Sequence, residues 1–215
     1  MKVGVLGSGI VGQTLGAGFV ARGHDVKLGT RDPGQDKVKA WVQKNGAKAS
    51  AGTFEETAKF GELLVLSTLW DGTQHAIELA KPENFAGKVV IDTTNALDFS
   101  KGAPPKLALG WSTSAGEEVQ RMLPKARVVK CFNTVGNAHM VSPKFPGGPP
   151  DMFIAGNDAE AKKKVAQVCT DFGWPGAIDS GGIESSRYLE PLAMVWILEY
   201  FRTGSPNHAF KMLRK

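Results

Sequence analysis

The chain has 215 residues, 42% of them hydrophobic and 22% charged, and carries a formal net charge of +5. Those values suit a soluble globular protein of one large domain, or one domain and a small appendage, and exclude a largely disordered chain. The basic residues are scattered; the one tight run, Lys162, Lys163 and Lys164, lies in an amphipathic helical pattern with only Phe153 near it among the aromatics, which argues against a nucleic-acid surface.

In chain order, KVGVL predicts a strand that ends at Gly7. IVGQTLGAGFVARG has helical spacing and stops at Gly23, and DVKLGT predicts a second strand. Strand, turn, helix and strand in about 30 residues have the size of a βαβ crossover. AKAS predicts a short strand, and TFEETAKF a helix capped by Thr53 with Glu56 at the capping-box position. LLVLST is a buried strand, GTQHAIELA a helix, KVVIDTT a strand, SAGEEVQRML a helix and ARVVKCF another strand. Strands apolar on both faces, separated by helices, predict a parallel sheet covered on both sides. SPKFPGGPPD, residues 142–151, then breaks the pattern with a proline and glycine loop. Beyond it come MFIAG, the helix DAEAKKKVAQVCTDFG, a strand-like GAID and a long apolar helix from about Glu184. Residues 1–141 read as the main sheet domain. Residues 142–215 read as an extension that either continues the sheet or packs a helical lobe against it.

Cys131 and Cys169 sit in apolar runs without a CxxC partner, so buried reduced thiols are expected, with no metal site. The chain starts directly on a strand pattern with no leader, and LAMVWILEYF is too short for a membrane span and contains Glu199. The expectation is a cytoplasmic protein with neither membrane nor nucleic acid as partner.

VLGSGIVG sets Gly7, Gly9 and Gly12 in the G-x-G-x-x-G spacing. The first glycine permits the tight turn out of the strand, the second lets the backbone approach a pyrophosphate, and the third lets helix pack on strand. The helix N-terminus then offers free N–H groups to phosphates. Its place between a strand and a helix in a βαβ unit is the context that makes this spacing a dinucleotide signal. A chain that prefers NAD places a carboxylate after the second strand, where it accepts from the ribose 2′-OH. This chain has Thr30 and Arg31 there, a hydroxyl and a guanidinium suited to a 2′-phosphate, with Lys37 as a second cation. The adjacent Asp32 is acidic, but Pro33 suggests that it directs the turn and points away. NADP(H) is the expected cofactor.

At this point MKVGVLGSGIVGQTLGAGFVARGHDVKLGTRDP resembles the start of the NADP-dependent reductases of the deazaflavin coenzyme F-420, and is also similar to the cytosolic domain of the six-transmembrane ferric reductases. LSTLWDGTQHAIELA, VVKCFNTVGNAHM, FIAGNDAEAKKKVAQV and GGIESSRYLEPLAMVWILEY extend the resemblance over most of the chain. It implies an α/β fold, a Rossmann-type doubly wound parallel sheet with a small C-terminal helical lobe, often dimeric through that lobe. It implies the adenosine phosphate at Thr30 and Arg31 and the diphosphate over Ser8, Gly9, Ile10 and Val11. On that resemblance the backbone near Thr68, Leu69 and Trp70 lines the dinucleotide, with Asn95, Asn133, Thr134 and Val135 near the ribose and nicotinamide. No basic, glycine-rich pocket for a deazaflavin tail is visible, and the proline-rich loop 142–151 departs from the coenzyme reductases.

Hydride transfer from nicotinamide to a flavin or deazaflavin is direct, so the protein supplies position and exclusion of water. Reduction of a carbonyl or imine needs a proton donor within reach. His139 is the candidate donor, with a loop-bonded histidine as the alternative. Tyr188 and Tyr200 lack a lysine four residues on, so the Tyr-x-x-x-Lys arrangement is missing. Ser185 and Arg187, with Glu190 within pairing reach, precede or begin the long helix and form either an anion site or a cap with a surface ion pair. That helix is apolar nearly all round and must be buried in the lobe or between two subunits, with a homodimer favoured. The leading reading is an NADP(H)-dependent oxidoreductase passing hydride to a small-molecule acceptor of flavin or deazaflavin type. The alternatives are an NADPH-dependent reductase of a small carbonyl or imine, and an NADPH-sensing protein without turnover.

Overall fold

A computed structural model describes residues 1–215. Six strands form its parallel part: β1 (Lys2–Leu6), β2 (Asp25–Gly29), β3 (Ala49–Gly52), β4 (Leu63–Leu66), β5 (Val89–Asp92) and β8 (Arg127–Lys130). A two-residue hairpin pair, β6 (Leu97–Asp98) and β7 (Lys106–Leu107), lies between the last two and forms its own small sheet. β9 (Phe153–Gly156) joins antiparallel to β8, and β10 (Ile178–Asp179) joins parallel to β9. The large sheet therefore runs β10-β9-β8-β5-β4-β1-β2-β3. Its order reverses at β1 and β4, the switch point beside which open α/β sheets bind ligands.

The helices are α1 (Ile10–Ala21), α2 (Asp36–Asn45), α3 (Phe54–Phe60), α4 (Trp70–Ala80), α5 (Ala115–Met122), α6 (Ala159–Asp171) and α7 (Ser186–Thr203). All but α2 are expected from the pattern. α2 carries Val38, Trp41 and Val42 at helical spacing, but most of its other positions are charged or amide-bearing and no side-chain cap marks its start. Thr53 caps α3 with the reciprocal Glu56 bond expected of it.

The sheet's alternation builds two cores. Val3, Val5, Leu63, Val65, Val89, Ile91, Val129 and Cys131 face one side with α1 and α6. Leu6, Leu64, Leu66, Val90 and Val128 face the other with α3, α4 and α5. The first core crosses residue 141 freely, because Ile154, Val165, Cys169 and Phe172 pack in the same cluster as Val3 and Leu15. Of the two arrangements open for the C-terminal part, the chain uses both, extending the sheet through β9 and β10 and laying α7 against the strand ends. Both cysteines are buried and free, their Sγ atoms 3.5 Å apart. No helix is long and apolar enough to cross a membrane. α7 is not fully covered within the chain: Tyr188, Val195, Leu198, Tyr200 and Phe201 stay exposed.

Candidate functional site

β1 ends at the glycine turn, whose shape is fixed by crowding as much as by freedom. Gly7 has φ +123°, and a Cβ there would lie 2.4 Å from Ser67 O. A Cβ on Gly12 would lie 2.0 Å from Gly7 O, so α1 sits on the turn only because that position is bare. Gly9 differs from both, since a Cβ there meets nothing within 4 Å. Its openness is toward solvent, where a ligand backbone can approach. The first helical bond runs from Gln13 N to Gly9 O at 2.9 Å, which leaves the N–H groups of Ile10, Val11 and Gly12 without helical partners. No acidic residue occupies the first turn of α1, and Ile10 is exposed. The turn is a bare cradle with the positive end of a helix behind it.

Thr30 follows β2 and is buried, its Oγ1 3.3 Å from the Ser8 hydroxyl that donates to it. The second-strand position and the glycine turn are thus joined by side chains. Arg31 is exposed and takes part in no ion pair of the chain, and Lys37 is exposed on the first turn of α2. Asp32 Oδ1 accepts from the Gly34 N–H at 2.9 Å, so the nearby carboxylate is spent on its own turn. On the opposite side of the cradle, Leu69 is 74% exposed at the start of α4 and Trp70 packs against the second core. Thr68 hydroxyl is 2.8 Å from that of Thr73, which anchors this turn to α4.

Further along the strand ends the cleft deepens into a cavity of about 520 Å³. Thr93 and Asn95 contribute from the end of β5, and Phe132, Asn133 and Val135 from the end of β8. α7 closes it with Ala193, Trp196, Ile197 and Tyr200, and the C-terminal segment adds Gly204 and Pro206. Val11 of α1 reaches the same cavity, so the glycine-turn cradle and the cavity are continuous. Asn95 and Asn133 hold each other: Asn95 Nδ2 donates to Asn133 O at 3.0 Å, and Asn133 Nδ2 donates to Asn95 Oδ1 at 3.0 Å and to Leu189 O at 3.1 Å. Asn133 is 6% exposed, yet its Oδ1 has no partner. A buried acceptor left open in a cavity wall costs about 1–3 kcal/mol, which a ligand N–H would recover.

The indole of Trp196 lies on Gly136, where a Cβ would be 2.5 Å from its Cζ2. Trp196 Nε1 donates to His208 O at 2.8 Å, and the two rings stack with centroids 4.5 Å apart. Tyr200 stacks almost parallel on Trp196 at 5.9 Å. The tail beyond α7 is thereby folded back as part of the wall, and the Asp151 N–H donates to Phe210 O at 2.9 Å to tie it to the proline loop.

Asn95, Asn133 and Val135 line the cavity, which Val11 of the glycine turn also reaches, and Thr30 joins that turn through Ser8, with Arg31 exposed next to it in the chain. Thr134 is buried beside them but does not line the cavity. His139 stands outside it: its Nε2 is 3.0 Å from Asn207 Oδ1 and its ring packs on Phe145 at 4.5 Å. Ser185 donates to Ser180 O at 2.7 Å, and Arg187 forms a two-pronged pair with Glu117 of α5, Nε to Oε2 at 2.8 Å. Both are engaged within the chain and away from the cavity. The pairing of Glu190 with Arg187 does not occur; Glu190 is buried against Lys130 instead, because α7 turns that face inward.

Arg187 first, against the cost of partial burial, holds the Glu117 carboxyl below the usual carboxylate range. A carboxylate lowered on folding contributes stability above its unfolded value of 4.5 and loses it as pH falls through the folded value. Arg187→Ala is therefore expected to cost about 1 kcal/mol or less near neutrality, since the arginine is a third exposed, and to flatten the acid limb. Thermal melts from about pH 7 down to about pH 3 check this, with the variant and parent curves converging at the acid end.

The family model described as NADP oxidoreductase coenzyme F420-dependent matches residues 2–96. The crystal structure of a candidate F420-dependent NADP-reductase from Arthrobacter sp. FB24 superimposes with a TM-score of 0.94 at 37% identity, with each chain covered completely. An F420-dependent NADP reductase of Methanocaldococcus jannaschii is 29% identical over 206 residues, 92% of this chain and 91% of that protein. The rat metalloreductase STEAP3 is 26% identical over 203 residues, which span 90% of this chain and 36% of that longer protein.

Proposed function

Because the chain belongs to the coenzyme F420-dependent NADP oxidoreductase family, we propose that it oxidises or reduces NADP(H) by direct hydride exchange with the ring of a flavin or deazaflavin, coenzyme F-420 foremost. The observation that carries the choice of acceptor is the cavity wall. Of its 16 residues, none is Asp, Glu, Lys, Arg or His, and Tyr200 alone has an ionisable side chain. Hydride passes between two rings without a proton donor at the reacting carbon, so a neutral, largely apolar wall is sufficient. The nicotinamide supplies the hydride; the chain supplies the place for it. Ser8 to Gly12 hold the diphosphate, Thr30 and Arg31 the 2′-phosphate, and Asn133 Oδ1 offers an acceptor for an amide or ring N–H. Trp196 and Tyr200 give a flat aromatic wall, against which a planar ring packs at the 4.5–7 Å spacing that such rings favour. Excluding water from this space strengthens the remaining polar contacts.

The Tyr200 hydroxyl supports the second reading, reduction of a small carbonyl or imine, because a phenol at the wall can donate a proton. Tyr200→Phe separates the two. NADPH oxidation by coenzyme F-420 or a flavin is expected to persist within about threefold, whereas a carbonyl reduction that used this proton would drop by about a hundredfold or more. Assays run the purified protein with NADPH against coenzyme F-420, FMN, ferric chelates and a carbonyl and imine panel, following the nicotinamide absorbance. Activity confined to the last panel and lost in Tyr200→Phe overturns the ring-acceptor reading. On the same reading the exposed face of α7, with Val195, Leu198 and Phe201, is where a second copy of this chain packs. Sedimentation of Leu198→Glu beside the parent tests that, and a parent that sediments as a monomer refutes it.

A further inference from the structure

Beside the cavity lie three ionisable side chains that hydride transfer does not use. Lys130 and Asp92 are 0% exposed and Glu190 is 2% exposed. Asp92 continues the face of β5 that carries Val90, and Lys130 the face of β8 that carries Val128, and the parallel register makes the two direct neighbours. Lys130 Nζ lies 2.7 Å from Asp92 Oδ2 and 3.1 Å from Glu190 Oε1. The Asp92 contact is a charge pairing rather than an aligned hydrogen bond, since Oδ2 has no bonding partner by direction. Glu190 comes from α7 and also accepts from the N–H groups of Ala115 and Gly116, each at 3.0 Å, at the start of α5. Burial works against the Lys130 ammonium, but Asp92 and then Glu190 outweigh it and hold the group above the ordinary lysine range.

The third bond of Lys130 is the informative one. Its Nζ donates to Thr94 O at 2.6 Å. Thr94 is further fixed by Asp92 Oδ1, which accepts from its N–H at 2.9 Å and from its hydroxyl at 2.7 Å. In a planar trans peptide the C=O and the following N–H point to opposite sides. The Thr94 carbonyl is turned inward to the ammonium, so the Asn95 N–H is turned away from it. That N–H makes no hydrogen bond within the chain, and Asn95 lines the cavity. A cation on the carbonyl polarises the peptide and strengthens the N–H as a donor.

We propose that Lys130 is a positioning residue: it fixes and polarises the Thr94–Asn95 peptide so that the Asn95 N–H meets an acceptor oxygen on the ligand, and Glu190 ties that peptide to α7, the helix that carries Trp196. This rests on the nicotinamide end of the cofactor lying in the cavity.

The test uses Lys130→Met combined with Asp92→Asn. The pair removes one charge of each sign. The side-chain amide that replaces the Asp92 carboxylate keeps an oxygen to accept from Thr94, and Glu190 keeps its two N–H donors. Titration with 2′,5′-ADP reports the adenosine half of the site, and the fluorescence of bound NADPH reports whether the nicotinamide is held. The folded double variant is expected to bind 2′,5′-ADP within about twofold of the parent, lose most of the nicotinamide emission gained on binding, and drop in kcat for coenzyme F-420 reduction by about ten- to a hundredfold. If the double variant does not fold, Glu190→Gln carries the same readouts with the same expected direction. A folded variant that keeps emission and kcat within about twofold reduces the network to a structural role and overturns the proposal. A parent that binds 2′,5′-ADP but shows no nicotinamide emission change overturns the placement beneath it, a different failure read in a different protein.

Discussion

Arg31→Ala raises the dissociation constant for NADPH about ten- to a hundredfold and leaves that for NADH within about twofold. The size follows from a charge-assisted contact between guanidinium and phosphate, worth about 1.5–3 kcal/mol. The selectivity follows from local geometry. Arg31 is exposed and unpaired within the chain, so its loss disturbs no other bond in the folded protein. The adjacent carboxylate, Asp32, is turned onto the Gly34 N–H. Thr30 is buried next to Ser8, whose hydroxyl donates to it, so the end of the second strand and the glycine turn are joined. Calorimetry with both nucleotides, at one fixed salt concentration, reads the ratio. Equal weakening of NADPH and NADH would place Arg31 on the diphosphate, and no weakening of either would remove the 2′-phosphate from this end of the cleft. With Lys37 as the expected weaker second cation, raising salt is expected to erode NADPH binding before NADH binding.

What was legible in the sequence was local. The glycine turn is read from three bare positions because each solves a clash or an approach within a few residues, and Gly7, Gly9 and Gly12 show both kinds. The parallel strands are read from runs such as LLVL and VVID because burial on both faces leaves little polar residue to misplace. α2 carries no such signal, since its apolar residues are few and its start has no side-chain cap. Long-range pairing was invisible for a different reason. Lys130 stands in an apolar run, and nothing near it in the chain tells that Asp92 and Glu190 close on it from a neighbouring strand and a distant helix. By sequence distance Glu190 is within pairing reach of Arg187, whereas Arg187 reaches Glu117 across 70 positions. His139 follows a segment that does line the cavity, but its side chain is drawn off by Asn207 of the tail, a contact that only the folded chain creates. The wall formed by Trp196, Tyr200 and the returning tail could have been suspected from an aromatic helix next to a proline, yet its neutrality is a property of the assembled surface.

Lys130→Met alone destabilises the fold by about 3–5 kcal/mol, a large share of the roughly 5–15 kcal/mol that hold a typical domain. The loss has little to do with hydrophobicity, since methionine fills nearly the same volume. It arises because Asp92 and Glu190 are left buried with one cation fewer. Glu190 retains the Ala115 and Gly116 N–H groups and the positive end of α5, and Asp92 retains only Thr94. Asp92 is therefore the carboxylate that suffers most, and Asp92→Asn added to Lys130→Met is expected to recover more than half of the loss. Glu190→Gln added instead recovers less, because it also weakens an anion that the helix end was holding. Urea melts of the three proteins rank these effects in the order single, Glu190→Gln double, Asp92→Asn double, from least to most stable. An unchanged midpoint in the single variant would mean that the three groups do not share charge at all. Recovery of stability in the Asp92→Asn double without recovery of nicotinamide ordering is the pattern that separates the two things Lys130 does: it neutralises buried acids, which a neutral pair can replace, and it orients one peptide at the cavity through its bond to Thr94 O, which methionine cannot make.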